Sequence, residues 1–451
     1  MGLFGTLISS TSALRVFEQA LEVTQNNVSN ASTPGFARQR LRVESMPFDP
    51  DRGLPGGVLS AGPESYRDDF AERAVWRRQE AYGFSDQSAG QLSRIEAYFD
   101  VTGTTGIPRA LSGFFQSISA WSVAPNDMAS RTAVIEQAGD LAAGVRNTAS
   151  GLIGAEALAE QNIRQTVDTI NHLAGEVREL NLQARQDART ATDPSVDTRL
   201  HAVLEELAEY ADVTALKQPD SAWTLLLGGQ TPLVIGERQY QITTDRTGTQ
   251  AVIVDASGRD VTAQASNGRL GALLQYRNTT LPGLLSGLDR LAATVADRVN
   301  SLLAAGVDQS NQPGAALFTY SSSQGAAASL RVTSIAPEQL AAALPSAPGG
   351  NGNALNLVEL ADSGEIDGSS FTEYYAALAR SVGRALETAR DDLSTNEQLL
   401  IQARELRHEI SGVSLDEEAI RLIEFQRAYQ ASARLVTILS DLTEETLNMI
   451  G

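Results

Sequence analysis

Both ends of this chain carry an apolar repeat of seven. Leu7, Leu14, Leu21 and Val28 stand seven apart, and Leu3, Ser10, Phe17 and Thr24 fall between them at the alternating three-and-four spacing of a heptad seam. The same spacing returns at the far end through Leu422, Phe425, Tyr429, Ser432, Val436, Leu439, Thr443, Thr446 and Ile450, and a second row, Leu435, Ile438, Leu442 and Met449, widens that face. The pattern predicts two long amphipathic helices, each with a face it cannot bury alone, and the nearest partner for each is the other end. The spacing also fits two ordinary amphipathic helices laid separately on a globular body. Ser10, Thr24, Ser432, Thr443 and Thr446 are small or polar, so an isolated pair would be weak.

The first repeat runs into Gln25-Asn26-Asn27-Val28-Ser29-Asn30-Ala31-Ser32-Thr33-Pro34-Gly35-Phe36-Ala37-Arg38-Gln39-Arg40. Asn, Ser and Thr compete with helical hydrogen bonds, and Pro34-Gly35 supplies a turn that ends the helix. This stretch resembles the N-terminal signature of the flagellar axial proteins, the rod, hook and hook-filament junction subunits, through Asn26, Asn27, Asn30, Thr33, Pro34, Gly35 and Phe36. Phe425 to Arg434 resembles the signature at that family's other end, through Gln426, Ala428 and Tyr429. Ala110 to Ile118 and Arg131 to Ile135 are similar to the first hook-filament junction proteins more than to hook or rod subunits, although Phe36 stands where junction proteins often have tyrosine.

The resemblance implies a structural subunit of the bacterial flagellum that joins hook to filament and polymerises through paired terminal helices. The assembly residues would be Leu3, Leu7, Leu14, Phe17, Leu21, Val28, Leu422, Phe425, Tyr429, Val436, Leu439 and Ile450. It implies as partners further copies in a ring or helical layer, hook protein, the second hook-filament junction protein, and an export chaperone at the C-terminal helix. It also implies an extracellular address, reached through the flagellar type III system with an uncleaved N-terminus. A second junction protein, hook protein or rod protein stays open within the same family.

Composition narrows the other classes. The 451 residues exceed one typical core and predict two or three domains, while 42% hydrophobic content argues against wholesale disorder. There is no cysteine, which excludes disulfides and thiolate sites. A net charge of −20 would repel nucleic-acid phosphates. No signal-peptide pattern opens the chain, and no apolar run approaches the roughly 20 residues that span a bilayer. A membrane-surface reading of the termini expects flanking Lys and Arg, but residues 1–30 carry Arg15 alone against Glu18 and Glu22.

Between the ends, residues 37–70 read as a Pro- and Gly-punctuated connector with a short hairpin, and helical periodicity follows over 66–99, from 131 to 189 with possible breaks at Gly151 and Gly154, and over 197–211. The period then shortens to β-type runs between 213 and 267. Helices return at 270 and 284–303, then from Phe371 to Ile410, and Ser414 with Glu417 offers a capping box for the last one. The fold class is therefore mainly α with an inserted small β domain. Residues 1–33 and 414–451 would pair as a terminal coiled-coil domain, 34–212 and 268–413 would form a helical-bundle body, and 213–267 a β-rich outer domain that projects from it.

No catalytic, cofactor or metal site is legible. His408-Glu409 opens an H-E-x-x-H pattern that fails at Gly412, the single lysine Lys217 follows no glycine-rich loop, and Asp308 to Pro313 resembles a calcium loop without the glutamate needed at Thr319. The pairs Asp68-Asp69, Asp391-Asp392 and Glu417-Glu418 read as solvated faces of an acidic chain, and His172, His201 and His408 as surface or packing residues.

Overall fold

The computed structural model describes residues 3–49, 52, 54–99, 105–186, 193–245 and 248–450, and the side chains of Leu3, Leu447 and Ile450 fall outside that description. The N-terminal repeat is a single helix, α1 (Leu3–Ser29). Its end is built as the sequence suggests. Asn30 Nδ2 donates to the Asn26 carbonyl at 3.0 Å, Thr33 Oγ1 donates to Asn30 Oδ1 at 3.2 Å, and Gly35 turns the chain at a φ of 76°.

The connector is a long hairpin in which β1 (Gln39–Ser45) pairs antiparallel with β4 (Val58–Ser65), and β2 (Phe48–Asp49) with β3 (Leu54–Pro55) at the tip. Asp68 caps α2 (Asp69–Glu96) by accepting from the Ala71 N–H at 2.7 Å. After α3 (Gly106–Val123), α4 (Met128–Gln186) runs unbroken through Gly151 and Gly154, where breaks were expected. Gly151 serves packing instead: a Cβ there would sit 2.7 Å from the Tyr98 ring. α5 (Pro194–Tyr210) starts on Asp193, which accepts from the Ser195 N–H.

The β-type segment forms a four-stranded antiparallel meander of β5 (Val213–Lys217), β6 (Trp223–Leu227), β7 (Thr231–Ile235) and β8 (Arg238–Gln239), followed by the pair β9 (Thr243–Asp245) and β10 (Val252–Val254). It does not stand clear of the helices as a projecting insertion would. Two asparagines of α4 hold its backbone edges. Asn181 accepts from the Trp223 N–H and donates to the Trp223 and Gly236 carbonyls, all at 2.8 Å, and Asn171 exchanges bonds with both backbone groups of Ile242. An amide side chain mimics a strand edge, so a helix can terminate a sheet without leaving buried polar groups unpaired. The short period of 213–254 revealed strands, but not that helix Asn residues would pin them.

The chain continues through α6 (Gly268–Gln275), a π turn at Tyr276–Thr280, α7 (Leu281–Ala305), β11 (Phe318–Thr319), α8 (Ala326–Ser329), β12 (Arg331–Val332), α9 (Gly352–Glu359), α10 (Phe371–Ser411) and α11 (Leu415–Ile450). β12 pairs antiparallel with β11. One buried cluster joins α3, the first half of α4, α7, α9 and α10 around Phe114, Trp121, Phe318, Phe371 and Tyr375. A second joins the rest of α4, α5, α6 and the meander. The architecture is mainly helical with small antiparallel sheets, and the two terminal helices lie packed together.

Candidate assembly interface

α1 and α11 pack against each other, and the β1–β4 hairpin also lies against α1. On α11, Leu422, Phe425, Tyr429, Val436 and Leu439 are half-buried, Ser432 is buried, and Ala428 of the signature lies among them. Leu7, Leu14, Phe17 and Leu21 of α1 are half-buried too. Leu3 and Ile450, expected on the seam, lie outside the described side chains. Val28 is 41% exposed; the deeply buried row of α1 is instead Val16, Ala20, Thr24 and Asn27, one position around the helix. That row is selected by the hairpin, which the spacing of one helix cannot show.

The signature residues act as a clamp at the base of the helix pair. Asn27 donates to the Gln39 carbonyl at 2.9 Å and to Glu418 Oε2 at 3.0 Å, and accepts from the Gln39 N–H at 2.9 Å. Glu418, 1% exposed, takes a second charge-assisted bond from Arg38 Nε at 2.9 Å, and the Arg38 N–H donates to the Ser411 carbonyl at 2.8 Å. Glu418 is therefore no solvated carboxylate, as the acidic pair Glu417-Glu418 had suggested; only Glu417 remains exposed. A Cβ on Gly35 would lie 2.7 Å from the Thr198 carbonyl oxygen, so that signature position is fixed by close approach as well as by its φ. Asn26, Thr33 and Pro34 are exposed around it, Asn30 and Phe36 are half-buried, and Gln426 of the second signature is exposed.

Beneath the clamp, a buried ion network fastens the helix pair to the body. Glu72 of α2, 1% exposed, accepts from Arg67 at 2.5 Å and Arg407 of α10 at 3.2 Å; Arg67 also reaches Asp197 at 3.0 Å and the Gly35 carbonyl at 2.6 Å. Arg407 and Arg404 share Glu205 of α5 at 2.6 and 2.8 Å. His201 sits within this network, stacked on Trp76 at 5.7 Å and edge-on to Trp223 at 5.6 Å. Burial first, then Arg67, Lys217 and Arg407, hold its pKa well below the usual histidine value. Arg38, Glu418, Arg67, Glu72 and Arg407 carry no periodic signal, and only the position of Arg38 just after the first signature pointed towards this site.

Beyond the clamp, the pair leaves apolar surface uncovered. Phe4 and Ile8 on α1, and Ile420, Ile423, Leu435, Ile438, Leu442 and Met449 on α11, are all exposed. The second row of α11 thus faces solvent in the single chain. Such a row, on a helix fixed at its base, offers a surface for further chains and holds no reactive group.

Comparisons with known proteins bear on this arrangement. Residues 92–318, half of the chain, match the family model described as flagellar hook-associated protein FlgK helical domain. Residues 7–36 match the flagella basal body rod protein model, and residues 407–449 the flagellar basal body rod FlgEFG protein C-terminal model. The chain is 26% identical to flagellar hook-associated protein 1 of Bacillus subtilis, covering 99% of this chain and 98% of that one. It is 21% identical to the protein of that name from Salmonella typhimurium, covering 97% and 98%. The fold is similar to the structure of the flagellar hook junction protein FlgK from Burkholderia pseudomallei, with a TM-score of 0.68 at 16% identity, over 75% of this chain and all of that one.

Proposed function

The chain belongs to the flagellar hook-associated protein FlgK family, and on that premise we propose that it joins hook to filament as a subunit polymerised through its paired terminal helices. It is a hook-associated structural protein of the flagellum. The observation that carries the polymerisation reading is the pairing of α1 with α11 at one end of the body while a second apolar row of α11 stays in water. Copies of this chain in a ring or helical layer cover that row. Hook protein lies on one side of the layer and the second junction protein on the other. Before export a flagellar export chaperone covers the C-terminal helix, and the chain leaves by the flagellar type III route without cleavage. No chemistry is catalysed. Residues 1–33 with 414–451 act as the assembling unit, 34–212 with 268–413 as the body, and 213–267 as the outer element.

The energetics explain why assembly and ordering of the ends are coupled. A fully buried Leu, Phe or Ile side chain contributes about 1.5–3 kcal/mol. Ordering the backbone costs about 1–2 kcal/mol per residue. With seam positions only half-buried in the single chain, neighbours in the layer decide the balance. The test is Leu14→Asp and Leu439→Asp: the body stays folded by circular dichroism, and the subunit is absent from purified flagella. Normal motility in either strain rejects the reading. Hydrogen exchange on the monomer adds the order of events, with fast exchange over 3–29 and 415–450 above a protected body if the ends order on assembly.

A further inference from the structure

At the base of the terminal pair lies an apolar cleft of about 250 Å³ walled by three elements: Val16, Ala20 and Thr24 of α1, Val43 and Val58 of the hairpin, and Phe425 of α11. Its volume is on the order of eight waters. Water in an open cleft lined by side chains of this kind finds few hydrogen-bond partners on its walls, so an apolar group that displaces it is favoured. The one carboxylate in its lining, Glu418, is already held by Asn27 and Arg38, so the cleft asks for an apolar group and not for a polar ligand.

We propose that this cleft receives the exposed row Leu435, Ile438 and Leu442 from the α11 of a second copy, a head-to-tail contact that rests on the polymerisation reading above and specifies its partner surface. Three observations lead there. The row is apolar and uncovered at all three positions. It cannot serve its own cleft, because Ile438 lies 17 residues beyond Arg421 on one continuous helix, roughly 26 Å along its axis. The charges also match. The distal part of α11, from Leu435 onward, carries Asp441, Glu444 and Glu445 and no Lys or Arg, while the cleft mouth presents Arg40 and Arg421. Arg40 pairs with exposed Glu64 at 3.3 Å, a contact that exchanges at little cost, while Arg421 reaches exposed Glu417 at 4.0 Å and buried Glu418 at 3.5 Å and keeps the latter. Donor and acceptor are different patches of the same molecule, so the contact can pass head to tail from one copy to the next, and a ladder beyond dimer separates that from a reciprocal two-fold pair.

The test uses the absence of native cysteine. Cells carry the full chain with Val43→Cys and Ile438→Cys together, both at exposed positions that tolerate a smaller side chain, and purified flagella are treated with a short bismaleimide. A ladder of cross-linked multimers is expected, with single-cysteine chains giving no product beyond dimer and a Val43→Cys, Ile153→Cys control giving no ladder. The chain present in flagella but no ladder overturns this contact and leaves the polymerisation reading standing. Leu14→Asp and Leu439→Asp chains that still enter flagella overturn both. As a second readout, Ala20→Leu fills the cleft from inside; it is expected to cut the ladder at least tenfold with the body unfolding at the wild-type temperature, and an undiminished ladder counts against the cleft as acceptor.

Discussion

Asn27 Nδ2 donates to Glu418 Oε2 at 3.0 Å and so ties together two residues 391 positions apart in the chain. Both are buried, and the asparagine also satisfies both backbone groups of Gln39. One side chain therefore fixes α1, the hairpin and α11 relative to each other. Replacing Asn27 with Ala leaves Gln39 and one oxygen of Glu418 unpaired, with an expected loss of about 1–3 kcal/mol for the uncompensated groups. Hydrogen exchange should accelerate over both terminal helices while α3, α4 and α7 keep wild-type protection. Uniform acceleration across the chain would show that the clamp supports the whole fold.

Gly35→Ala combines a positive φ with a Cβ placed 2.7 Å from the Thr198 carbonyl oxygen. The conformation alone costs about 1–2 kcal/mol, and the clash adds to it by pushing α5 from the end of α1. Denaturant unfolding should show a lowered midpoint. Gly62→Ala, at a φ of 96° with open space around it, separates conformational strain from steric contact.

Glu72 is the anion on which Arg67 and Arg407 converge. Glu72→Ala removes the buried anion that both arginines share while Asp197 and Glu205 still hold them, so the expected loss falls below the about 3–5 kcal/mol of a buried pair broken from one side. Thermal unfolding should report that loss, and Glu72→Gln, which keeps the shape and some hydrogen bonds, should recover only part of it.

One buried and one half-buried group set opposing pH dependences. The His201 pKa is depressed, so the unfolded chain binds a proton that the folded chain refuses; this stability is present above the unfolded value of 6.5 and is lost as pH falls below it. Burial, then Asp212, raise Glu80 from 4.5 to about 7, against a hydrogen bond from Asn267. Its contribution is full below pH 4.5 and lost as pH rises through 7. Melting temperatures between pH 4.5 and 8 should therefore show Glu80→Gln gaining on wild type as pH rises, and His201→Gln losing less than wild type as the medium is acidified. Parallel curves for all three proteins would contradict the assignment.

The terminal helices were legible because a repeat of seven is a local property: Leu7, Leu14, Leu422 and Leu439 announce amphipathic helices wherever they sit. The turn at Pro34-Gly35 and the strands at 213–254 were legible for the same reason, since φ preferences and a period of two act over a few residues. Val28 shows where that reading ends. Spacing assigns it to the seam, yet Asn27 takes the buried place because the hairpin approaches from the adjoining side.

What the sequence determined by itself is therefore most of the long helices, the strands of 213–254, the amphipathic ends and the family. What the tertiary structure decided is which neighbour each face meets. It laid the meander on Asn171 and Asn181 of α4, buried Glu418 while leaving Glu417 in water, and gathered Arg67, Glu72, His201 and Arg407 from separate elements around one joint. The physical reason is that a polar side chain is buried only where partners from distant segments satisfy it. Those partners lie close in space and far apart in sequence.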